Sequence, residues 1–130
     1  MDVFNGTSPK RTVLIVDDDP LVRVTIADML RLGGFEVLEV ATGGQALAVL
    51  AGQAVKAVVS DIRMPVMDGV DLSHRVRAVH PEMPIVLVSG EVCPDAELLP
   101  AGTRYVRKPP KLRELVATVF QAIASRPLAT

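Results

Sequence analysis

The stretch Thr12–Pro20, TVLIVDDDP, decides the fold, because it joins a buried strand, an acidic loop and a helix start. Thr12–Val16 is a continuous apolar run rich in β-branched residues, which is typical of a strand buried on both faces of a parallel sheet. Asp19 and Pro20 then predict a helix N-terminus, since Asp caps free N–H groups and proline suits the first helical position. The sequence therefore begins with a strand that leads directly into a helix.

The same alternation continues along the chain. Short apolar runs predict four further strands, at Phe35–Val40, Lys56–Ser60, Pro84–Val88 and Thr103–Val106. Segments with helical spacing of apolar residues separate and follow them. Five strand–helix units of this kind predict an α/β fold with a parallel sheet covered on both faces.

The predicted helices differ in how regular their apolar faces are. The faces of the first three are Val22, Ile26, Met29 and Leu30; Ala46, Leu47 and Leu50; and Val70, Val76 and Val79. Pro109 and Pro110 are predicted to open the last helix. Its face is the most regular in the chain and comprises Leu112, Leu115, Val116, Val119, Phe120 and Ile123.

Composition limits the class of protein. The 130 residues suit one domain, predicted over 11–124 with flexible tails at 1–10 and 125–130. The net charge of −1 predicts no nucleic-acid partner. No apolar run approaches the roughly 20 residues that span a bilayer, so no membrane association is expected. The single cysteine, Cys93, excludes an internal disulfide and fits a reducing cytoplasm.

Residues with reactive chemistry follow the predicted strands. Asp17, Asp18 and Asp19 follow the first strand, Asp61 the third, Ser89 the fourth, and Arg107 and Lys108 the fifth. Ligands of such sheets bind at the carboxyl ends of the strands, so these side chains are expected to converge. Clustered carboxylates without His or Cys favour Mg²⁺, which keeps open positions for phosphoryl oxygens. Asp61 can then act as a nucleophile toward phosphorus, with Lys108 and Ser89 contacting the same anion.

Four segments together resemble the receiver domains of bacterial two-component response regulators. They are VLIVDDDPLVR (Val13–Arg23), VVSDIRMPVMDG (Val58–Gly69), LVSG (Leu87–Gly90) and YVRKP (Tyr105–Pro109). The resemblance covers most of the chain and implies a single-domain protein similar to the chemotaxis regulator. It implies the flavodoxin-like (βα)5 fold, a three-layer sandwich around a five-stranded parallel sheet of order 2-1-3-4-5.

The resemblance also implies the roles of the site residues. Asp61 matches the phospho-acceptor, and Lys108 the lysine that contacts the phosphoryl group. Mg²⁺, or Mn²⁺ in its place, would be bound by Asp61, by Asp18 directly, by Asp17 through water and by the main-chain carbonyl of Arg63. Ser89 and Tyr105 match the switch pair, and the Lys108–Pro109 bond is expected to be cis.

The implied partner is a histidine kinase or a histidine phosphotransfer protein, and the downstream protein target is left open. The domain would assist its own phosphorylation and dephosphorylation without turning over a separate substrate.

The chain departs from the family between Ser89 and Lys108, where the 18 residues are a few fewer than usual. Pro94 and Pro100 leave at most a short fourth helix, Asp95–Leu99. Similar short versions occur in receivers of hybrid histidine kinases, so a receiver detached from such a kinase stays possible.

Two further functions stay open. One is that of a small haloacid-dehalogenase-like phosphatase with Asp17 as nucleophile and Asp19 as acid/base. The second is that of a receiver fold that no longer takes phosphate.

Overall fold

Five parallel strands form one sheet in the computed structural model, which describes residues 11–91 and 93–125. The strands are β1 (Thr12–Val16), β2 (Glu36–Val40), β3 (Ala57–Asp61), β4 (Ile85–Ser89) and β5 (Arg104–Arg107). The helices are α1 (Pro20–Leu32), α2 (Gly43–Gly52), α3 (Gly69–Val79) and α4 (Leu112–Ala124). The strand order β2-β1-β3-β4-β5 confirms the predicted order and the flavodoxin-like architecture.

The predicted start of α1 is confirmed in detail. The Asp19 carboxylate accepts hydrogen bonds from the N–H groups of Leu21 and Val22, and Pro20 is the first helical residue. These bonds satisfy N–H groups that have no partner within the helix. The helix therefore begins shortly after β1, at the carboxyl edge of the sheet.

Two apolar cores lie on opposite faces of the sheet. Alternate residues of β1 divide between them, with Val13 and Ile15 in one and Leu14 and Val16 in the other. Buried residues of α1 and α4 complete the first core, and those of α2 and α3 complete the second. This arrangement is the predicted three-layer sandwich.

The predicted fourth helix, Asp95–Leu99, is a single 3₁₀ turn over Ala96–Leu98. The (βα)5 pattern therefore has four α-helices among the described residues. Flanking prolines at 94 and 100 leave too few residues for two α-helical turns. We refer to residues 90–103 as the β4–β5 segment.

Three smaller expectations about the helices are wrong. The α4 helix begins at Leu112 rather than at the prolines, because Lys111 is its N-cap and its carbonyl accepts the first helical bond, from Leu115. Leu112 and Val79, predicted to be buried, are 41% and 70% exposed. Val79 is the last residue of α3 and Leu112 is the first residue of α4, so both lie at helix ends.

Of the predicted tails 1–10 and 125–130, residues 1–10 and 126–130 lie outside the described residues, while Ser125 is the C-cap of α4. Among the helices that the structure describes, none has the length and hydropathy needed to cross a membrane.

Candidate phosphorylation site

Three carboxylates meet at the carboxyl edge of the sheet. Asp17 and Asp18 leave the end of β1, and Asp61 is the last residue of β3, the neighbouring strand. One carboxylate oxygen from each lies within 4.8 Å of the others. Three hard oxygen ligands at this spacing fit a Mg²⁺ or Mn²⁺ ion, which prefers carboxylate and water.

The Lys108 ammonium group lies between two of these carboxylates. Its Nζ atom is 3.1 Å from Asp17 Oδ2 and 3.2 Å from Asp61 Oδ1. The strand pairing explains this reach, because Lys108 follows β5 and its N–H donates to the Ser89 carbonyl at 2.9 Å. The Lys108–Pro109 peptide bond is cis, as the resemblance implied.

Burial and charge act in opposite directions on Lys108. Burial by itself would lower the pKa of the ammonium group, but its hydrogen bond to Asp17 and the charges of Asp17 and Asp61 outweigh burial and raise that pKa. Lys108 is therefore a cation at neutral pH. It partly neutralises the repulsion among the three acids.

Asp61 differs from Asp17 in its surroundings. Burial raises the pKa of its carboxyl group, Lys108 opposes this shift, and the nearby charge of Asp17 adds to it. Its Oδ1 atom accepts from the Ile62 N–H at 2.8 Å and from Lys108. The side chain is 10% exposed, whereas that of Asp17 is 1% exposed. Asp61 thus combines a fixed orientation with access from solvent.

Gly69 fixes the main chain at Asp61. A Cβ atom at this position would lie 2.1 Å from the Asp61 carbonyl oxygen, closer than any real contact. The Gly69 N–H also donates to the Ile62 carbonyl at 2.7 Å. The first residue of α3 therefore packs directly on the backbone that carries the candidate nucleophile.

Ser89 and Tyr105 lie on the two strands beyond β3. Ser89 follows Val88, which is the register partner of Asp61, and it is 1% exposed. Its hydroxyl oxygen accepts from the Glu91 N–H at 3.1 Å. The Tyr105 hydroxyl donates to the Ser89 carbonyl at 3.0 Å and also contacts the Glu91 carbonyl. The predicted switch pair is therefore joined by one hydrogen bond, from the Tyr105 hydroxyl to the Ser89 carbonyl.

Two further predicted residues have clear positions. Arg63 lies on the exposed loop that leaves β3, and the metal-binding role of its carbonyl stays a prediction. Asp19 is occupied as the N-cap of α1, where its carboxylate accepts two main-chain hydrogen bonds. The N-cap role accounts for Asp19 without the acid/base function that a haloacid-dehalogenase mechanism would give it.

Sequence reasoning missed two sets of polar contacts. Arg23 Nη1 donates to the Asp17 carbonyl at 2.9 Å. On α3, His74 Nε2 lies 2.6 Å from the Leu98 carbonyl, and Arg77 Nη2 donates to the Ala101 carbonyl at 2.6 Å. Arg23 carried a usable signal, because a cation near a helix N-terminus is unfavourable unless a partner holds it. The contacts from α3 carried none, since their acceptors are main-chain atoms 24 residues away.

The family model of the response regulator receiver domain matches residues 13–120, so the chain belongs to this family of two-component signalling proteins.

Known relatives and structures agree with this membership. The transcriptional regulatory protein PrrA of Mycobacterium tuberculosis is 40% identical over 123 residues, which cover 92% of this chain. The sensor kinase CckA of Brucella abortus is 38% identical over 122 residues, or 89% of this chain. A response regulator receiver protein from Sinorhizobium medicae superimposes with a TM-score of 0.84 at 30% identity, covering 91% of this chain and 98% of that one.

The chain spans about half the length of the curated relatives it matches first, 52% for PrrA, and only 13% of CckA. The receiver function is shared, whereas the activities of those longer proteins are not transferred. These similarities do not favour a haloacid-dehalogenase-like phosphatase.

Proposed function

We propose that Asp61 accepts a phosphoryl group from the phosphohistidine of a histidine kinase or a phosphotransfer protein. The observation that carries the proposal is the position of Lys108, whose Nζ atom lies 3.1 Å from Asp17 and 3.2 Å from Asp61. A cation held between these carboxylates is suitably placed to contact an anion formed on Asp61. A merely solvated strand-end aspartate would not need such a partner.

The geometry favours one oxygen of Asp61 as the nucleophile. Oδ1 is held by the Ile62 N–H and by Lys108, which leaves Oδ2 to attack phosphorus. The new O–P bond forms as the P–N bond to the donor histidine breaks, and the electron pair of that bond stays on the imidazole nitrogen. The product is an acyl phosphate on Asp61 and a histidine that takes a proton from water.

A divalent cation is part of the proposal. Asp18, Asp61 and the Arg63 carbonyl would hold Mg²⁺ directly, with Asp17 contacting it through water. When bound, the ion supplies positive charge to the phosphoryl oxygens. The protein itself orients Asp61, keeps Lys108 charged and holds Ser89 beside the site, so positioning and charge account for most of the catalysis.

The signal would pass to a protein partner through Ser89 and Tyr105. A phosphoryl group brings about two negative charges. The Ser89 hydroxyl oxygen would no longer accept from the Glu91 N–H, and the hydroxyl would donate to the phosphoryl group instead.

The domain would assist its own phosphorylation and dephosphorylation without a separate substrate. The expected cytoplasmic location rests on the single cysteine, and the expected protein rather than nucleic-acid partner rests on the net charge of −1.

Intact-protein mass spectrometry with acetyl phosphate and Mg²⁺ tests the phospho-acceptor. Wild type should gain one phosphoryl group, and Asp61→Asn should gain none. Asp71→Asn is the matched control, because Asp71 is an exposed aspartate on α3 that should leave the adduct unchanged. An adduct that survives in Asp61→Asn, or maps by proteolysis to Asp17, contradicts the proposal. Absence of an adduct from small donors and from every kinase tried would favour a receiver that no longer takes phosphate.

A second candidate function is that of a receiver from a hybrid kinase. The similarity to CckA, which is a sensor kinase, and the short β4–β5 segment favour this origin. A phosphotransfer time course distinguishes the two. Faster transfer to or from a phosphotransfer protein than from any kinase would support the hybrid origin.

A further inference from the structure

Every polar group of Asp17 is held by a different part of the chain. Its N–H donates to the Val40 carbonyl at 3.2 Å, and its Oδ1 and Oδ2 atoms accept from the Asp19 N–H and Lys108 Nζ at 2.9 and 3.1 Å. The fourth group, its carbonyl, accepts from Arg23 Nη1 at 2.9 Å. The proposed function uses Lys108 but gives no role to Arg23.

A carboxylate, that of Glu39, orients the guanidinium group of Arg23. Arg23 Nε lies 3.6 Å from Glu39 Oε1, and Arg31 Nη2 lies 3.1 Å from Glu39 Oε2. The side chains of Arg23 and Glu39 are 21% and 25% exposed, so solvent screens their contact less than it would a fully exposed pair. Glu39 thus links two arginines of α1, of which Arg23 alone contacts Asp17.

The direction of the Asp17 carbonyl determines the orientation of the Asp18 backbone. The carbonyl of one residue and the N–H of the next belong to one planar peptide group. A donor that fixes the direction of the Asp17 carbonyl therefore fixes the plane from which the Asp18 side chain departs. Asp18 is exposed, and its carboxylate makes no hydrogen bond to the described part of the chain. Its direction consequently depends on the backbone.

We propose that Arg23 is a positioning residue of the divalent-cation site, acting through the Asp17–Asp18 peptide. The inference rests on the proposed function, because it assumes that Asp18 binds the cation. Arg23 does not touch the ion. By charge alone a guanidinium beside an acidic cluster would weaken binding of a divalent cation, but Glu39 offsets that charge. The geometric effect then dominates, and Arg23 strengthens binding.

The test is a Mg²⁺ titration followed by backbone amide resonances in wild type, Arg23→Lys and Arg31→Lys. Lysine keeps the charge at position 23 but lacks the planar fork that reaches Asp17 and Glu39 together. We expect the dissociation constant of Arg23→Lys to rise about tenfold, the lower end of the usual cost of losing a residue that orients a metal ligand. The Asp18 amide resonance should also shift in the metal-free variant.

Arg31→Lys is the matched control, because Arg31 shares Glu39 but does not contact Asp17. It should bind Mg²⁺ as wild type does. Glu39→Gln frees the Arg23 side chain without removing it, so it should weaken binding less than Arg23→Lys.

Each outcome of the titration has a distinct meaning. Wild-type affinity in Arg23→Lys, or equal weakening in Arg23→Lys and Arg31→Lys, overturns the positioning role while the proposed function stands. A wild-type protein that takes no Mg²⁺ overturns both. A rise confined to Arg23→Lys, with urea unfolding unchanged from the Arg31→Lys control, supports the role and excludes a general loss of stability.

Discussion

The acidic pocket, which we define as Asp17, Asp18, Asp61 and Lys108, differs from the β4–β5 segment in how firmly its residues are held. The pocket residues Asp17 and Asp61 sit at the ends of central strands, and each is fixed by main-chain and side-chain partners. Among its described residues, 90–91 and 93–103, the β4–β5 segment has one 3₁₀ turn and no buried residue. It is tied to α3 by His74 and Arg77.

The difference separates two tasks of a signalling domain. A pocket built on strand ends can hold reacting groups in place, because buried strands are generally among the parts of a fold that open least readily. A segment held by a few side-chain hydrogen bonds can move at small cost. The chemistry is therefore expected to depend on the pocket, and the response to it on contacts between the β4–β5 segment, Tyr105 and α3.

The largest effect is expected from a substitution that displaces the backbone of the acidic pocket. Gly69→Ala places a Cβ atom 2.1 Å from the Asp61 carbonyl and should destabilise the fold by about 3 kcal/mol, the upper end of overpacking costs. Phosphorylation should fall with it, because the backbone that carries the nucleophile must shift. Urea denaturation and the acetyl phosphate assay measure the two effects.

Gly52→Ala is the control for the glycine substitution. Gly52 lies in α2 with nothing within 4 Å of the added Cβ, so alanine should be neutral or stabilising there. Equal losses of stability at both positions would show that the close approach at Gly69 is unimportant.

Replacement of Arg77 should make the β4–β5 segment more mobile and leave the acidic pocket unchanged. Arg77 Nε also donates to the Met83 carbonyl at 2.6 Å, so Arg77→Met leaves two carbonyls without this donor. We expect a loss of about 2 kcal/mol and faster amide hydrogen exchange over residues 95–103. Phosphorylation with acetyl phosphate should stay near wild type.

Arg75→Met is the comparison for Arg77. Within the described part of the chain, Arg75 makes only an exposed ion pair with Asp71, which is worth roughly 0.5 kcal/mol or less. If Arg77→Met slows phosphorylation as strongly as it speeds exchange, the two regions are not separable.

The Tyr105 hydroxyl is the contact that we expect to couple the acidic pocket to the β4–β5 segment. Tyr105→Phe removes the hydroxyl that bonds the Ser89 and Glu91 carbonyls, at a cost of about 1 kcal/mol. Beryllofluoride should still perturb amides of the pocket, but those of residues 95–101 should respond less than in wild type. An undiminished response over 95–101 would show that Tyr105 does not couple the regions.

The smallest effect is expected at Val66, in the loop between β3 and α3. Val66 has φ of 71°, and the Met67 N–H donates to the Pro65 carbonyl across it, which forms a γ-turn with positive φ. The backbone strain of about 1–2 kcal/mol exceeds the entropic cost of glycine, about 0.5–1 kcal/mol, so Val66→Gly should stabilise by about 0.5 kcal/mol. Thermal unfolding checks this.

Val24→Gly should change the stability of the fold in the opposite direction. Val24 is an exposed valine within α1, where glycine should cost about 0.5 kcal/mol. Destabilisation at both positions would mean that Val66 carries no strain.

The sequence predicted the sheet and the pocket because both rest on local signals. The apolar runs mark the strands, Asp19 and Pro20 mark the start of α1, and the acids follow strand ends. Arg23 carried a weak signal, a cation near a helix N-terminus, but the sequence did not name its partner. The contacts of Arg77 could not be predicted at all. Its partners are the Met83 and Ala101 carbonyls, and since every residue offers a carbonyl, no side-chain pattern identifies them. Val79 was misplaced because helical spacing does not show that the last residue of a helix is exposed.

The most direct test is a crystal structure with Mg²⁺ and beryllofluoride, which mimics the phosphoryl group. We predict beryllium bonded to a carboxylate oxygen of Asp61, with a fluorine within hydrogen-bonding distance of Lys108 Nζ and with Asp17 unmodified. Beryllium on Asp17, or a pocket that binds Mg²⁺ yet forms no adduct on Asp61, would contradict the assignment of Asp61 as the phospho-acceptor.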